Sequence, residues 1–214
     1  MKQNQFTLIA VGLIAATLLL ALTFMPQPEE GADAPSDTAK FIRDYSPRVG
    51  PEQAKVVIVE FMDPACGTCA RFHPFVKRLL REHRDQILLV LRYAPFHEGS
   101  DEMVAILEAA RKQGKFDEVL ELMFETQRQW TQNHIAYSDR FWPFLENIDL
   151  DLTRLAQDIK DPSITHIIQQ DLSDAQQLGA NKTPTFFVNA QGLPSFGHQQ
   201  LKQLVKAEIA KHYP

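Results

Sequence analysis

The only two cysteines of the chain stand together as Cys66-Gly67-Thr68-Cys69. Two thiols separated by two residues are suited to dithiol and disulfide chemistry, or to soft-metal binding, and the elements around them decide between the two. The run Val56-Val57-Ile58-Val59-Glu60-Phe61 precedes them and reads as a short, largely apolar strand. After them, Phe72, Phe75, Val76, Leu79 and Leu80 fall at i, i+3, i+4, i+7 and i+8, which predicts a helix with one buried face. The cysteines therefore sit at a helix N-terminus, where unpaired backbone N–H groups and the helix dipole favour a thiolate over a thiol. That placement lowers the Cys66 pKa below the ~8.5 of a free thiol. Cys66, ahead of the helix body, is expected to face solvent, with Cys69 one turn further in and shielded. Cys66 is then the attacking sulfur and Cys69 the resolving one: Cys66 opens a substrate disulfide to give a mixed disulfide, and Cys69 displaces the substrate.

A structural zinc site wants four ligands, and no second Cys pair or closely spaced His pair accompanies Cys66 and Cys69. His73, four residues after Cys69, supplies at most a third ligand, so a copper or other soft-metal site built on Cys66, Cys69 and His73 is the rival reading. A purely structural disulfide is disfavoured, because so short a loop constrains little unfolded chain.

From Phe6 to Met25 the chain has 20 residues without a charge, long enough as a helix to span about 30 Å of hydrocarbon. An uncleaved membrane anchor over 1–25 is favoured over a cleaved signal, since the only A-x-A nearby, Ala32-Asp33-Ala34, lies well past the apolar run and is followed by Pro35. Lys2 precedes the span, while Glu29, Glu30, Asp33 and Asp37 follow it before Lys40, which places the remainder outside the cytoplasm. That is an oxidising space where disulfides persist. Residues 26–42, with Pro26, Pro28, Gly31 and Pro35, read as a polar tether that buries nothing, and 43–214 as one domain. A net charge of −5 without a basic cluster argues against a nucleic-acid partner.

Ile87 to Leu91 forms a second strand and completes a strand–helix–strand unit with a parallel pair, and Pro74 is expected to kink the helix between them. Helical periodicity then dominates to about residue 179: Met103, Ile106, Leu107 and Ala110; Val119, Leu120, Met123 and Phe124; Leu152, Leu155 and Ile159; Ile164, Ile167, Ile168 and Leu172. The pattern predicts a helical subdomain, about 98–179, inserted between two halves of a sheet. Thr183 to Asn189 resumes as a strand opened by Pro184, a short strand is expected around Leu193 to Phe196, and Gln199 to His212 closes the chain as a helix.

Gly50-Pro51, Val59-Glu60-Phe61 leading through Asp63-Pro64 to Cys66-Gly67-Thr68-Cys69, the helical block, and Thr183-Pro184-Thr185-Phe186-Phe187-Val188 together resemble the DsbA-like branch of the thioredoxin superfamily, whose members are extracytoplasmic thiol:disulfide oxidoreductases. The resemblance covers about residues 43–211. It implies an α/β thioredoxin fold with an inserted helical subdomain, and a cis Thr183-Pro184 bond whose loop packs beside Cys66 and pairs with substrate. Taken alone, Pro184 also fits an ordinary trans proline opening an edge strand. By the same resemblance Glu60 is the buried acid that relays protons to the resolving sulfur; read alone, it also fits an exposed strand face. His73, His97 and His198 are read as structural or solvated, and Phe141, Trp142 and Phe144 as helical-block core. Gly67-Thr68 stands where the strongest oxidants of the family carry a pair containing histidine, so the disulfide is expected to be less oxidising than theirs. The expected partners are cysteine-containing exported proteins and a redox partner protein, with no cofactor.

Overall fold

Strand β2, Val56–Met62, runs along the middle of a five-stranded sheet and presents its two faces to two separate cores. The structure, a computed structural model, describes residues 37–214; the proposed anchor 1–25 and most of the tether lie outside the described residues. Alternation along β2 assigns the faces. Val56, Ile58, Glu60 and Met62 point one way, while Val59 and Phe61 point the other. Both sides are covered, which is why the strand reads as a continuous apolar run rather than an alternating one.

Helix α2, Gly67–Glu82, carries the chain from β2 to β3, Ile87–Tyr93, and the two strands pair in parallel with Val56 opposite Ile87 and Met62 opposite Tyr93. Strand β6, Thr185–Val188, pairs antiparallel on the other side of β2, with Glu60 opposite Phe186. Two short strands, β1 (Arg48–Val49) on β3 and β7 (Gln191–Gly192) on β6, complete the order β1-β3-β2-β6-β7. The turn before β2 depends on Gly50: its φ is +112°, and a Cβ there would lie 2.3 Å from the Ile87 carbonyl oxygen.

Phe72, Val76 and Leu79 of α2 bury onto the Glu60 face, while Phe75 and Leu80 are half-buried at its margin. Pro74 lies inside this helix. The helix α8, His198–His212, lays Leu201 and Val205 on the same face. The shorter strand expected at Leu193–Phe196 does not form; pairing stops at Gly192, and Pro194, which lacks an N–H, follows at once.

Between β3 and β6 come α3 (Ser100–Arg111), α4 (Phe116–Trp130), a two-stranded hairpin β4–β5 (Thr131–Gln132 and Ile135–Ala136), α5 (Ser138–Leu145), α6 (Leu152–Asp158) and α7 (Pro162–Gln177). Met103, Ile106, Leu107, Ala110, Val119, Leu120, Met123, Trp130 and Phe141 form the centre of this block. Trp142 and Phe144 pack at its edge, half-buried. Asp151 and Asp161 cap α6 and α7 by accepting from the N–H groups of Arg154 and Ser163, at 2.9 and 2.8 Å.

The last residues of the tether are part of the folded body. A short helix α1, Asp37–Phe41, leads into Phe41 and Ile42, which pack on the Phe61 face of the sheet, with Phe41 edge-on to Phe187 at 5.0 Å. The expectation that residues up to 42 bury nothing fails here, because two apolar side chains reach a sheet face that the sequence did not reveal as uncovered.

The same face holds a buried charge network. Arg92 on β3 is fully buried; it donates to Asp171 at 2.9 Å (Nε) and 2.6 Å (Nη2), and to Asp174 at 2.6 Å. Arg43 grips Asp174 from the N-terminal side at 2.8 and 2.7 Å, and the Tyr45 hydroxyl donates to Asp171 at 2.6 Å. The network ties the entry segment, β3 and α7 together, with each carboxylate answered by a guanidinium.

Candidate functional site

Cys66 occupies the N-cap position of α2 with extended backbone angles (φ −75°, ψ 115°), and its carbonyl accepts from Ala70 N–H at 3.1 Å. No side chain caps this helix end, so the first-turn N–H groups remain directed at the Cys66 sulfur. Both cysteines are free thiols here. Cys69 is completely buried, whereas Cys66 keeps 7% of its surface. The expected order of exposure holds, but Cys66 opens to solvent only through a narrow aperture rather than facing it.

The chain returns to this sulfur 117 residues later. Thr183-Pro184 is cis, and the Cys66 thiol donates to the Thr183 carbonyl oxygen at 3.2 Å. That contact suits the protonated sulfur, while the Thr183 side chain favours the thiolate. The thiolate side prevails. The Cys66 pKa is lowered to about 5, first by the hydrogen bond from the Cys69 thiol and then, against the opposing effect of burial, by Thr183 and the backbone N–H groups of Cys69 and Thr68. Cys69 moves the opposite way, well above the ordinary thiol range, because it is buried, because it donates to Cys66, and because Cys66 and Glu60 are negative neighbours.

Glu60 is 4% exposed on the face of β2 that α2 covers, and no cation pairs with it among the described residues. Burial, and then repulsion from the Cys66 thiolate, raises its carboxyl to about 8. The alternation along β2 thus settles the face left open by the sequence, and a group that holds or releases a proton near neutrality lies under the dithiol.

The three histidines read as structural or solvated part ways. His198 stacks on Phe72 at 3.9 Å. His73 lies against Phe124 at 4.9 Å, with Nε2 3.2 Å from the Glu121 carboxylate, so it is engaged by α4 instead of joining the cysteines. Among the described residues, no three His, Cys, Asp or Glu side chains come together as a metal site. His97 belongs near the dithiol through Asp63, which stands in the motif before the cysteines but receives no role from the sequence.

Around the mouth, the dipeptide Gly67-Thr68 is flanked by Arg71, whose guanidinium donates to the Thr68 hydroxyl at 2.8 Å, and by Gln127, which donates to the Pro64 carbonyl at 2.7 Å. Beside Pro184, an open groove of about 310 Å³ is lined by Leu178, Lys182, Phe186, Leu193, Pro194 and Phe196. Phe196 is 47% exposed, and Phe96, on the loop after β3, is 46% exposed.

Comparison with known proteins decides the family. The sequence pattern described as Thioredoxin matches residues 43–207, most of the chain. The chain belongs to the thioredoxin family. A thioredoxin-like oxidoreductase from Silicibacter pomeroyi DSS-3 superposes with a TM-score of 0.69 at 28% identity, covering 81% of this chain and 97% of that one. The thiol-disulfide exchange protein alpha-DsbA2 from Wolbachia pipientis shares the thioredoxin fold at a TM-score of 0.67 and 19% identity, over 79% of this chain and 90% of the other. Of the resemblance drawn from the motifs, the thioredoxin family and fold therefore stand. A longer relative, the Na(+)/H(+) antiporter NhaA of Herminiimonas arsenicoxydans, is 27% identical over 190 residues; the match takes in 86% of this chain, which spans 30% of that protein's length.

Proposed function

We propose that residues 43–214 form a thiol:disulfide oxidoreductase that exchanges disulfides with cysteine-containing exported proteins through Cys66 and Cys69. One observation carries this reading: a sulfur with its pKa lowered to about 5 sits at a helix tip against the carbonyl of Thr183, beside a buried partner thiol pushed the other way. Cys66 is the nucleophile and leaving group that meets the client, Cys69 resolves the mixed disulfide, and Glu60 takes the Cys69 proton as that sulfur attacks. Thr183, before Pro184, offers backbone groups to an extended client segment, and the groove ending at Phe196 receives an apolar side chain of it. A stabilised thiolate stabilises the reduced form, so the dithiol is a disulfide donor, re-oxidised by a redox partner protein.

The site works outside the cytoplasm, held to the membrane by the uncharged run Phe6–Met25 with residues 26–36 as spacer. The charge asymmetry between Lys2 and the acidic residues after the span supports that orientation. The test is oxidative refolding of a reduced, disulfide-containing client with catalytic amounts of the oxidised protein. Acceleration that Cys66→Ser abolishes is expected; no acceleration by the wild type would remove the proposal.

A further inference from the structure

The Gly67-Thr68 dipeptide brings no cation to the Cys66 sulfur, yet the loop after β3 brings one from elsewhere in the chain. Asp63, at the end of β2, is fully buried, and its backbone carbonyl accepts from Cys66 N–H at 3.0 Å. Its carboxylate accepts from Ala65 N–H at 2.8 Å, Phe96 N–H at 2.8 Å, His97 N–H at 3.0 Å and the Ser100 hydroxyl, and Oδ2 lies 2.6 Å from His97 Nδ1. One side chain thus fixes both the turn that carries Cys66 and the loop that carries His97. A carboxylate accepts and does not donate, so Nδ1 bears hydrogen and Nε2 is the nitrogen that gains or loses a proton. The imidazole keeps 21% of its surface, which leaves that proton in exchange with solvent.

The loop is built to hold this position. Gly99 has φ +75°, and a Cβ there would lie 2.4 Å from the Ala136 carbonyl oxygen; Ala136 N–H in turn donates to the Glu98 carbonyl at 2.8 Å. Asp63, just after β2, bonds His97 directly; His134, from the β4–β5 turn, stacks on its ring at 5.9 Å; and Cys66, at the tip of α2, is joined to it through the Asp63 turn. The Asp63 hydrogen bond raises the His97 pKa against the opposing effect of burial, and the Asp63 and Cys66 charges add to it. Without His97, the Asp63 charge would oppose a thiolate three residues away.

We propose that His97 is a positioning residue for the dithiol: held by Asp63, its imidazolium stabilises the Cys66 thiolate and makes the Cys66–Cys69 disulfide more oxidising while His97 is protonated than after it loses its proton. This inference rests on the redox reading above. In the step concerned, a client dithiol gives up two electrons and two protons as its disulfide forms. The Cys66–Cys69 bond breaks, Cys69 takes one proton, Cys66 leaves as thiolate, and the second proton passes to solvent. The cation acts on the product side of that reduction, and the cation missing from the dipeptide is replaced through space by one from another loop.

The experiment compares wild type with His97→Asn, whose amide keeps a donor for Asp63 without the charge, by equilibrium with glutathione at about pH 6 and about pH 9. At the lower pH the variant's equilibrium constant for oxidising glutathione should fall by about threefold to tenfold. At the higher pH the two proteins should agree. His97→Lys, which keeps a charge at both values, should exceed the wild-type constant at about pH 9 by a similar factor while matching it at about pH 6, and serves as the test should the asparagine variant not fold. Equal losses at both pH values, or none at either, would overturn the inference alone. A wild-type Cys66 that titrates like free cysteine would remove the redox reading and this inference with it.

Discussion

The Cys66 sulfur meets the carbonyl oxygen of Thr183 at 3.2 Å, joining the tip of α2 to the loop before β6 across 117 residues of sequence. Two segments that share no local pattern thereby make one site. On the proposed function, Cys66 would supply the reacting atom, and the residue before cis Pro184 would offer backbone polar groups beside it to an extended client chain. Disulfide exchange needs the incoming sulfur in line with the sulfur it attacks, and a client paired at Thr183 would be held beside Cys66 by this contact.

Removing the resolving thiol should arrest that exchange half-way. Cys69→Ser leaves Cys66 able to attack but leaves nothing to displace the client, so mixed disulfides should accumulate and disappear on addition of a small dithiol. Non-reducing electrophoresis of the variant incubated with an extract of exported proteins reads this directly. The absence of any such adduct, with Cys66 still alkylated readily, would contradict catalysis by this pair.

Glu60→Gln should move stability and turnover in opposite directions. The folded-state carboxyl titrates at about 8 against the ordinary 4.5 of a glutamate in the unfolded chain, so the folded protein keeps a proton that the unfolded chain has lost over that interval. Its stability contribution is present below the unfolded value and is lost as pH rises towards the folded one, by as much as about 5 kcal/mol. Glutamine carries no such penalty. In denaturant titrations of the reduced protein, the variant should gain on wild type between about pH 5 and pH 8, while the release of mixed disulfides slows by about 10- to 100-fold. Unchanged release would show that Glu60 does not handle the Cys69 proton.

Arg92→Met tests the buried charge network. Arg92 faces Asp171 and Asp174 with none of its side chain exposed. Removing it leaves two carboxylates under-compensated, which should cost about 3 to 5 kcal/mol near neutral pH. In wild type, burial works to raise Asp174, but Arg43 and Arg92 hold it below the ordinary carboxylate range, so the stability it contributes is lost as pH falls through that lowered value. The variant's carboxylates protonate more readily, so the gap to wild type should narrow in acid. Urea unfolding at neutral and acid pH measures it, and a gap independent of pH would argue for lost packing alone.

Phe196→Ser should weaken capture of protein clients without altering the thiols. The ring is 47% exposed at the end of the groove that starts at Pro184, and it rests on Phe72 at 4.8 Å. KM for a protein client should rise about threefold to tenfold, the cost of losing part of one apolar contact, while reaction with a small disulfide stays as in wild type. Equal loss for both substrates would place the effect in the dithiol rather than in the groove.

Much of the site is written in local pattern. The apolar run into Cys66, the i, i+3, i+4 spacing of Phe72, Val76 and Leu79, and the proline that opens β6 each carry their reading within a dozen residues. Glu60 needed one further fact: helices cover both faces of β2, and only the packing of α2 and α7 on opposite sides supplies it. Arg92, Asp171 and Asp174 leave no periodic trace, because their bonds join a strand to a helix 79 and 82 residues later. Asp63 and His97 receive no site role from the sequence for the same reason: a loop histidine gains its surroundings from a carboxylate 34 residues away. Phe41 looked like the end of a polar tether because its partner, Phe187, lies on the far side of the chain. Short-range periodicity reports burial, whereas charge pairing across the fold reports only in three dimensions.

The central claim is that Cys66 is held as a thiolate while Cys69 is held as a thiol. Titration of the reduced protein, followed by the ultraviolet absorbance of the thiolate, tests it without any client or partner. One sulfur should ionise with a midpoint near 5 and the other should stay protonated through neutrality. A single transition in the range of free cysteine, about 8.5, would contradict the account.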